Sequence, residues 1–232
     1  EDKIDPVVQG FLDDFSVTLE KEFQSKKLTG AAISIIIDSI TYFKPIGVKS
    51  INSTDSINLN TKFRIASLSK GFSSILAGKI LKENNISWNA AVSDFIPDFK
   101  TIPSTYKDSI SLEHIISHTA GYPYQAYSTL IEDGVPRDEL LYTLMGVDLS
   151  RKPGEIHSYQ NVAYSLIEPV LENITDTSFQ ALMKSELFDP LGMHNASMSY
   201  DEMIINDNIA IPHLNTRKGY QPQKLSRAYY NT

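Results

Sequence analysis

Apolar residues recur at helical spacing in the first part of the chain. Asp5 precedes Pro6, a pairing typical of a helix N-cap followed by the first helical position. Apolar side chains then return every three or four positions at Val8, Phe11, Leu12, Phe15, Leu19 and Phe23. This pattern predicts an amphipathic helix that ends near Ser25.

The pattern then changes to one typical of strands. Residues 32–37 are mostly β-branched and too few for an independent helix. A turn at Asp38-Ser39 follows, and residues 40–48 supply a second extended stretch. We predict a hairpin whose first strand is well buried.

Helical spacing resumes at Ser67 and breaks at Asn84-Asn85. Further helices are expected over 112–118, 137–145, 162–172 and 179–187, with a kink at Pro169 in the third of these. Periodicity weakens after residue 193. The middle of the chain is therefore predicted to be mainly helical.

Composition narrows the classes of protein. The 232 residues are 41% hydrophobic and 21% charged, as expected of a globular protein with a core. The formal net charge of -7 argues against a nucleic-acid partner. There is no cysteine, which excludes disulfides and thiolate nucleophiles, and no apolar stretch reaches the roughly 18 residues of a membrane span.

Ser67-x-x-Lys70 is the first candidate for chemistry. Three residues is just under one helical turn, so the two side chains share a helix face. A lysine within hydrogen-bond reach can help to activate a serine hydroxyl. Alone, such a pair is more often a helix cap followed by a solvent-facing lysine.

Tyr159-x-Asn161 is the second candidate, in a turn that leads into a predicted helix. A tyrosine stabilised as phenolate by ammonium groups can act as a general base, and an asparagine amide can hold a lysine or a substrate carbonyl. Alone, Tyr159 would be a packed aromatic and Asn161 a helix N-cap.

The two motifs together resemble those of the serine β-lactamase and penicillin-binding protein superfamily. Tyr-x-Asn is similar to the second motif of one branch of this superfamily, which includes class C β-lactamases, D-alanyl-D-alanine carboxypeptidases and related esterases. Other segments are similar to that branch in the same order, namely 63–66, 88–99, 117–123 and 188–193, although Ala120 and Tyr122 depart from the usual His-Thr-Ser-Gly-Leu-Pro turn.

The resemblance implies roles for these residues. Ser67 would be the acylated nucleophile, Lys70 and Tyr159 would move its proton, and Asn161 would contact Lys70 or the substrate. No cofactor and no metal ion is implied. The family's third motif, Lys-Thr-Gly or His-x-Gly, is not found after Asn161; the nearest string, residues 217–219, lies in a polar stretch.

The expected fold class is α/β (α+β), serine β-lactamase-like: an antiparallel sheet flanked by helices plus a mainly helical region. We expect three regions: 1–83 with the N-terminal helix, the hairpin and the nucleophile helix; 84–193, mainly helical; and 194–232, a truncated return segment. The family's C-terminal strands are expected to be missing, so a second chain or a missing segment would complete the sheet.

The expected function is that of a serine hydrolase acting on a β-lactam, a D-Ala-D-Ala-type peptide or an ester. The alternative is a non-catalytic binding or scaffold protein with the same fold. The motifs do not decide whether these 232 residues are active alone. Periplasmic or secreted location follows from the resemblance, with a cytoplasmic one left open.

His114 and His118 are four residues apart on a predicted helix, a spacing that can present two imidazoles to one metal ion. No glutamate follows His114 as in His-Glu-x-x-His, and no third ligand is indicated. We therefore expect ordinary helix packing here.

Overall fold

The computed structural model describes residues 5–38 and 40–228. The helices are α1 Pro6–Ser25, α2 Ser69–Glu83, α3 Leu112–Ile116, α4 Ser128–Glu132, α5 Arg137–Leu144, α6 Asn161–Tyr164, α7 Ile167–Thr175, α8 Phe179–Met183 and α9 Tyr200–Met203. The strands are β1 Gly30–Ile37, β2 Ile40–Gly47, β3 His213–Thr216 and β4 Gly219–Pro222.

The chain divides into two compact units. The first comprises Glu1–Arg64 and Asp201–Leu225, and the second comprises Ile65–Tyr200 and Ser226–Thr232. Helix α2 thus belongs to the second unit with the other helices that surround it. The three-region division expected from the sequence stays a prediction.

Helix α1 forms as predicted in the first unit. The Asp5 side chain accepts a hydrogen bond from the Val7 N–H at 2.7 Å, which satisfies one of the free donors at the helix start. Lys44 on β2 forms an ion pair with Glu20 of the helix. This ion pair is one of the contacts between α1 and the hairpin.

Strands β1 and β2 form the predicted antiparallel hairpin, paired from Gly30 opposite Gly47 to Ile37 opposite Ile40. Ser39, half of the predicted turn, lies outside the described residues. The prediction of a well-buried first strand is wrong, because half-buried and exposed positions alternate along β1 and Ile36 is 71% exposed. An apolar run is typical of a strand covered on both faces, whereas only one face of β1 is covered here.

Gly47 ends β2 in a conformation that only glycine adopts readily, with φ of +76°. A Cβ there would lie 2.7 Å from the Phe23 ring and 2.3 Å from the Thr29 carbonyl oxygen. The close approach of α1 to the hairpin therefore requires a residue without a side chain.

Strands β3 and β4 form a second hairpin in this unit, with Arg217 and Lys218 as its two-residue turn. This hairpin was not predicted from the sequence. Each strand has four residues and carries polar side chains on both faces, so the alternation that signals a strand is weak. The string at 217–219 is therefore a hairpin turn and the start of β4.

The second unit contains two clusters of buried apolar side chains. One includes Ile110, Leu112, Leu144 and Val162 from the region of α3, α5 and α6. The other is formed mainly by α2, α7 and α8, with Leu76, Ile80, Ile167, Leu171 and Phe179 among its members. Trp88 packs against both clusters. The buried face of α2 fixes the helix that carries Lys70.

Two helix predictions in this unit need correction. The helix expected over 162–172 is two helices, α6 and α7, separated at Ser165 and Leu166. The predicted kink at Pro169 is wrong: Pro169 is the third residue of α7, where its missing N–H costs no helical hydrogen bond. The helix expected over 112–118 ends at Ile116, and His118 takes a left-handed backbone conformation with φ of +57°.

Candidate active site

Ser67 lies on a 3-10 turn, Ala66–Leu68, that leads directly into α2. Ala66 has a φ of +47°, a left-handed conformation that costs a non-glycine residue roughly 1–2 kcal/mol. Strain of this kind is common where a side chain must be presented in a fixed direction. The turn leaves Ser67 exposed, as a nucleophile must be.

Lys70 lies in the first turn of α2 and points towards two partners. Its Nζ is 3.4 Å from Ser67 Oγ and donates a hydrogen bond to Asn161 Oδ1 at 2.8 Å. Asn161 is the first residue of α6, and Gln160 is the N-cap residue instead. The amide of Asn161 is therefore free of a capping role and orients the lysine.

Tyr159 completes the group. Its hydroxyl donates a hydrogen bond to Ser67 Oγ at 2.8 Å, and Lys70 Nζ lies 5.1 Å from the centre of its ring. Partial burial works to raise the pKa of Tyr159, but its interactions with Lys70 and Ser67 outweigh burial and leave the pKa lowered. The structure thus brings together all four side chains singled out in the sequence.

Tyr164 and Ser74 form hydrogen bonds to the backbone of Lys70, and neither residue was identified from the sequence. Their hydroxyls lie 2.7 Å and 2.9 Å from the Lys70 carbonyl oxygen and 2.8 Å from each other. The Tyr164 ring centre is 5.2 Å from Lys70 Nζ. A spacing signal exists, since Ser74 is four residues after Lys70 and Tyr164 three after Asn161.

The ring of His118 packs against the aromatic rings of Tyr159 and Tyr164. Its ring centre is 4.3 Å from that of Tyr159 and 5.3 Å from that of Tyr164. His114 lies elsewhere, with its Nδ1 accepting from the Ser111 N–H in a helix cap. Within residues 5–38 and 40–228, no three side chains of the His, Cys, Asp or Glu type are grouped to hold a metal ion.

A cavity of about 260 Å³ lies in the first unit. Its lining includes Leu28, Ile57, Pro212 and Tyr220, which are mostly apolar. The lining does not include Ser67.

The matches with known proteins agree with this geometry. The family model described as Beta-lactamase matches residues 7–229, so the chain belongs to that family and the resemblance read from the motifs is confirmed. Protein flp of Staphylococcus aureus (strain NCTC 8325 / PS 47) is 27% identical over 185 residues, which cover 77% of this chain and 36% of flp. Unguisins hydrolase ungD of Aspergillus violaceofuscus is 22% identical over 200 residues, covering 82% of this chain and 35% of that protein.

Solved structures show the same fold. EstCE1, a hydrolase with promiscuous acyltransferase activity, aligns with a TM-score of 0.82 at 21% identity, covering 94% of this chain and 60% of that one. A class C β-lactamase aligns with a TM-score of 0.80 at 20% identity, covering 100% and 61%. The octameric penicillin-binding protein homologue from Pyrococcus abyssi gives 0.76 at 22%, covering 94% and 52%.

The chain is therefore of the expected fold class, and it spans about a third of these curated relatives and five to six tenths of these solved chains. In the part of the chain that the structure describes, no helix is both long and apolar enough to cross a bilayer.

Proposed function

We propose that this chain carries the acylation centre of a serine hydrolase, with Ser67 as the nucleophile. One observation supports this most strongly: Ser67 Oγ lies 2.8 Å from the Tyr159 hydroxyl and 3.4 Å from Lys70 Nζ. A serine hydroxyl is a poor nucleophile until a neighbouring group takes its proton, and two groups able to move a proton meet it here.

Acylation would proceed by addition to a carbonyl carbon, which gives a tetrahedral intermediate, followed by elimination of the leaving group. Ser67 Oγ forms a bond to that carbon, and the bond from the carbon to the leaving nitrogen or oxygen breaks. The Ser67 proton passes through Tyr159 and Lys70 to the leaving atom. The lowered pKa of Tyr159 favours the phenolate that can accept this proton, and the amide of Asn161 keeps Lys70 in place or contacts the substrate. Water then cleaves the acyl-serine ester.

The proposed substrates are a β-lactam, a D-Ala-D-Ala-type peptide or an ester. All three present a carbonyl to the same nucleophile, and the family match and the hydrolase and β-lactamase among the relatives support this range. Turnover of a chromogenic cephalosporin, a D-Ala-D-Ala peptide and a short-chain nitrophenyl ester would separate them. Action outside the cytoplasm belongs to the same proposal and rests on the family alone.

Covalent labelling tests the nucleophile. The wild-type chain should be labelled by a fluorophosphonate or a fluorescent penicillin, and Ser67→Ala should abolish the label. Ser69→Ala removes an exposed hydroxyl two residues away and is the matched control, which should be labelled like the wild type. Labelling that persists in Ser67→Ala would place the nucleophile elsewhere.

The alternative is a binding or scaffold protein that keeps the fold without catalysis. Intact-mass measurement decides between the two: a folded chain that forms no acyl adduct with any of these reagents would support the alternative.

A further inference from the structure

We propose that His118 is a positioning residue that holds the Tyr159 side chain so that its hydroxyl meets Ser67 Oγ. The inference rests on the proposed function and assigns a role that the motifs do not give. It concerns a residue that touches neither the reacting oxygen nor the leaving group.

The ring of His118 limits where the Tyr159 ring can go. The two ring centres are 4.3 Å apart with their planes inclined by 35°, which is a close tilted contact. Tyr164 lies 5.3 Å from the same imidazole at a similar inclination, and His157 meets it edge-on at 5.8 Å. Two rings other than Tyr159 therefore contact the imidazole and restrict its position, so Tyr159 packs against a side chain that is itself held in place.

His118 also binds the backbone on both sides of Tyr159. Its carbonyl oxygen accepts from the Ser158 N–H at 2.7 Å, and its Nδ1 accepts from the Gln160 N–H at 3.3 Å. Residues 157–160 form neither helix nor strand, so they have no regular ladder of hydrogen bonds to hold them. The Gln125 N–H adds a bond to the Tyr159 carbonyl oxygen at 3.0 Å. Much of the position of Tyr159 therefore depends on one histidine.

The charge state of His118 agrees with this role. Burial, the nearby Lys70 charge and His157 lower the pKa of His118 to about 4. The imidazole is therefore uncharged at neutral pH, and its unprotonated Nδ1 is free to accept from the Gln160 N–H. A second cation beside Lys70 is avoided at the same time.

Two substitutions of His118 separate the effect of its ring from the effect of its hydrogen bond to the Gln160 N–H. Asparagine keeps an acceptor near the Nδ1 position and tolerates the positive φ of His118, but it removes the ring. Phenylalanine keeps a ring and removes the acceptor, which leaves the Gln160 N–H without its partner. The first variant tests the positioning of Tyr159, and the second tests the stability of the loop.

The measurement is fluorophosphonate labelling at neutral pH over a range of probe concentrations, with thermal unfolding of each variant. We expect the limiting labelling rate of His118→Asn to fall by about 10- to 100-fold, with the half-saturating probe concentration and the Tm little changed. We expect His118→Phe to recover most of that rate and to show the lower Tm. If His118 only stabilised the fold, the variant with the lower Tm, His118→Phe, would instead show the lower labelling rate.

Each outcome bears on the inference. Wild-type labelling rates in folded His118→Asn, or equal loss in both variants, would overturn it while leaving the proposed function intact, provided that Ser67→Ala is unlabelled. Labelling of Ser67→Ala, or none in the wild type, would overturn the proposed function and the inference with it. If His118→Asn does not fold, His118→Leu removes the flat ring while keeping apolar bulk, and the same expectation applies to it.

Discussion

Acidification tests the environment of His118 through stability rather than activity. The pKa of His118 in the folded chain is about 4, whereas an unperturbed histidine has a pKa of about 6.5. The unfolded chain therefore takes up a proton at a higher pH than the folded chain does. The stabilising contribution is fully present above about pH 6.5 and is lost as the pH falls to about 4.

The size of this loss follows from the same two values. The interval from about 6.5 to about 4, at 1.36 kcal/mol per pH unit, sets an upper limit of about 3.4 kcal/mol. His118 is only partly buried, so solvent screens the interactions that lower its pKa. We expect about 1–2 kcal/mol of the free energy of unfolding to be lost through this residue.

Urea unfolding of the wild type and of His118→Asn, from about pH 7.5 to about pH 4, measures the loss. Carboxylates titrate in both proteins, so their effect cancels in the difference between the two free energies of unfolding. We expect that difference to move by about 1–2 kcal/mol in favour of the variant as the pH falls. A difference that stays constant over the interval would show that the environment of His118 has been misjudged.

Two further predictions concern the site and the core. Asn161→Ala removes the acceptor of the 2.8 Å hydrogen bond from Lys70. Fluorophosphonate labelling should therefore slow by about 10- to 100-fold, with little change in Tm. An unchanged labelling rate would argue against a role of Asn161 in orienting the lysine. Leu144→Ala removes a fully buried side chain and should lower the urea-measured free energy of unfolding by about 2–5 kcal/mol, whereas Tyr142→Ala on the exposed face of the same helix, 75% exposed, should change it by about 0.5 kcal/mol or less.

Local spacing was enough to predict some of these features and not others. The proximity of Ser67 and Lys70 follows from their spacing of three residues, which puts both side chains on one helix face. Their meeting with Tyr159 and Asn161, about 90 residues later, was predicted only through the family resemblance, because periodicity carries no information on such distant pairs. The roles of these four residues stay predictions.

Other features depend on tertiary packing that the pattern does not contain. The ring contact of His118 with Tyr159 joins two irregular segments, and no periodicity marks either of them. The exposure of Ile36 depends on what covers the sheet, which the residues of β1 do not encode. The bounds of α1 were predicted closely because its N-cap and its apolar face are both determined by residues within the helix or next to it in the sequence.

Trp88 is the only tryptophan in the sequence, and it packs against both buried clusters of the second unit. Its indole emission depends on the polarity of its surroundings, so one optical signal responds to the opening of either cluster. The helix that carries Lys70 and the helix that begins with Asn161 each contribute buried side chains to both clusters: Leu81 and Val162 lie in one, and Leu76 and Tyr164 lie in the other. The chain thus carries an intrinsic reporter of the packing that supports both helices of its candidate site.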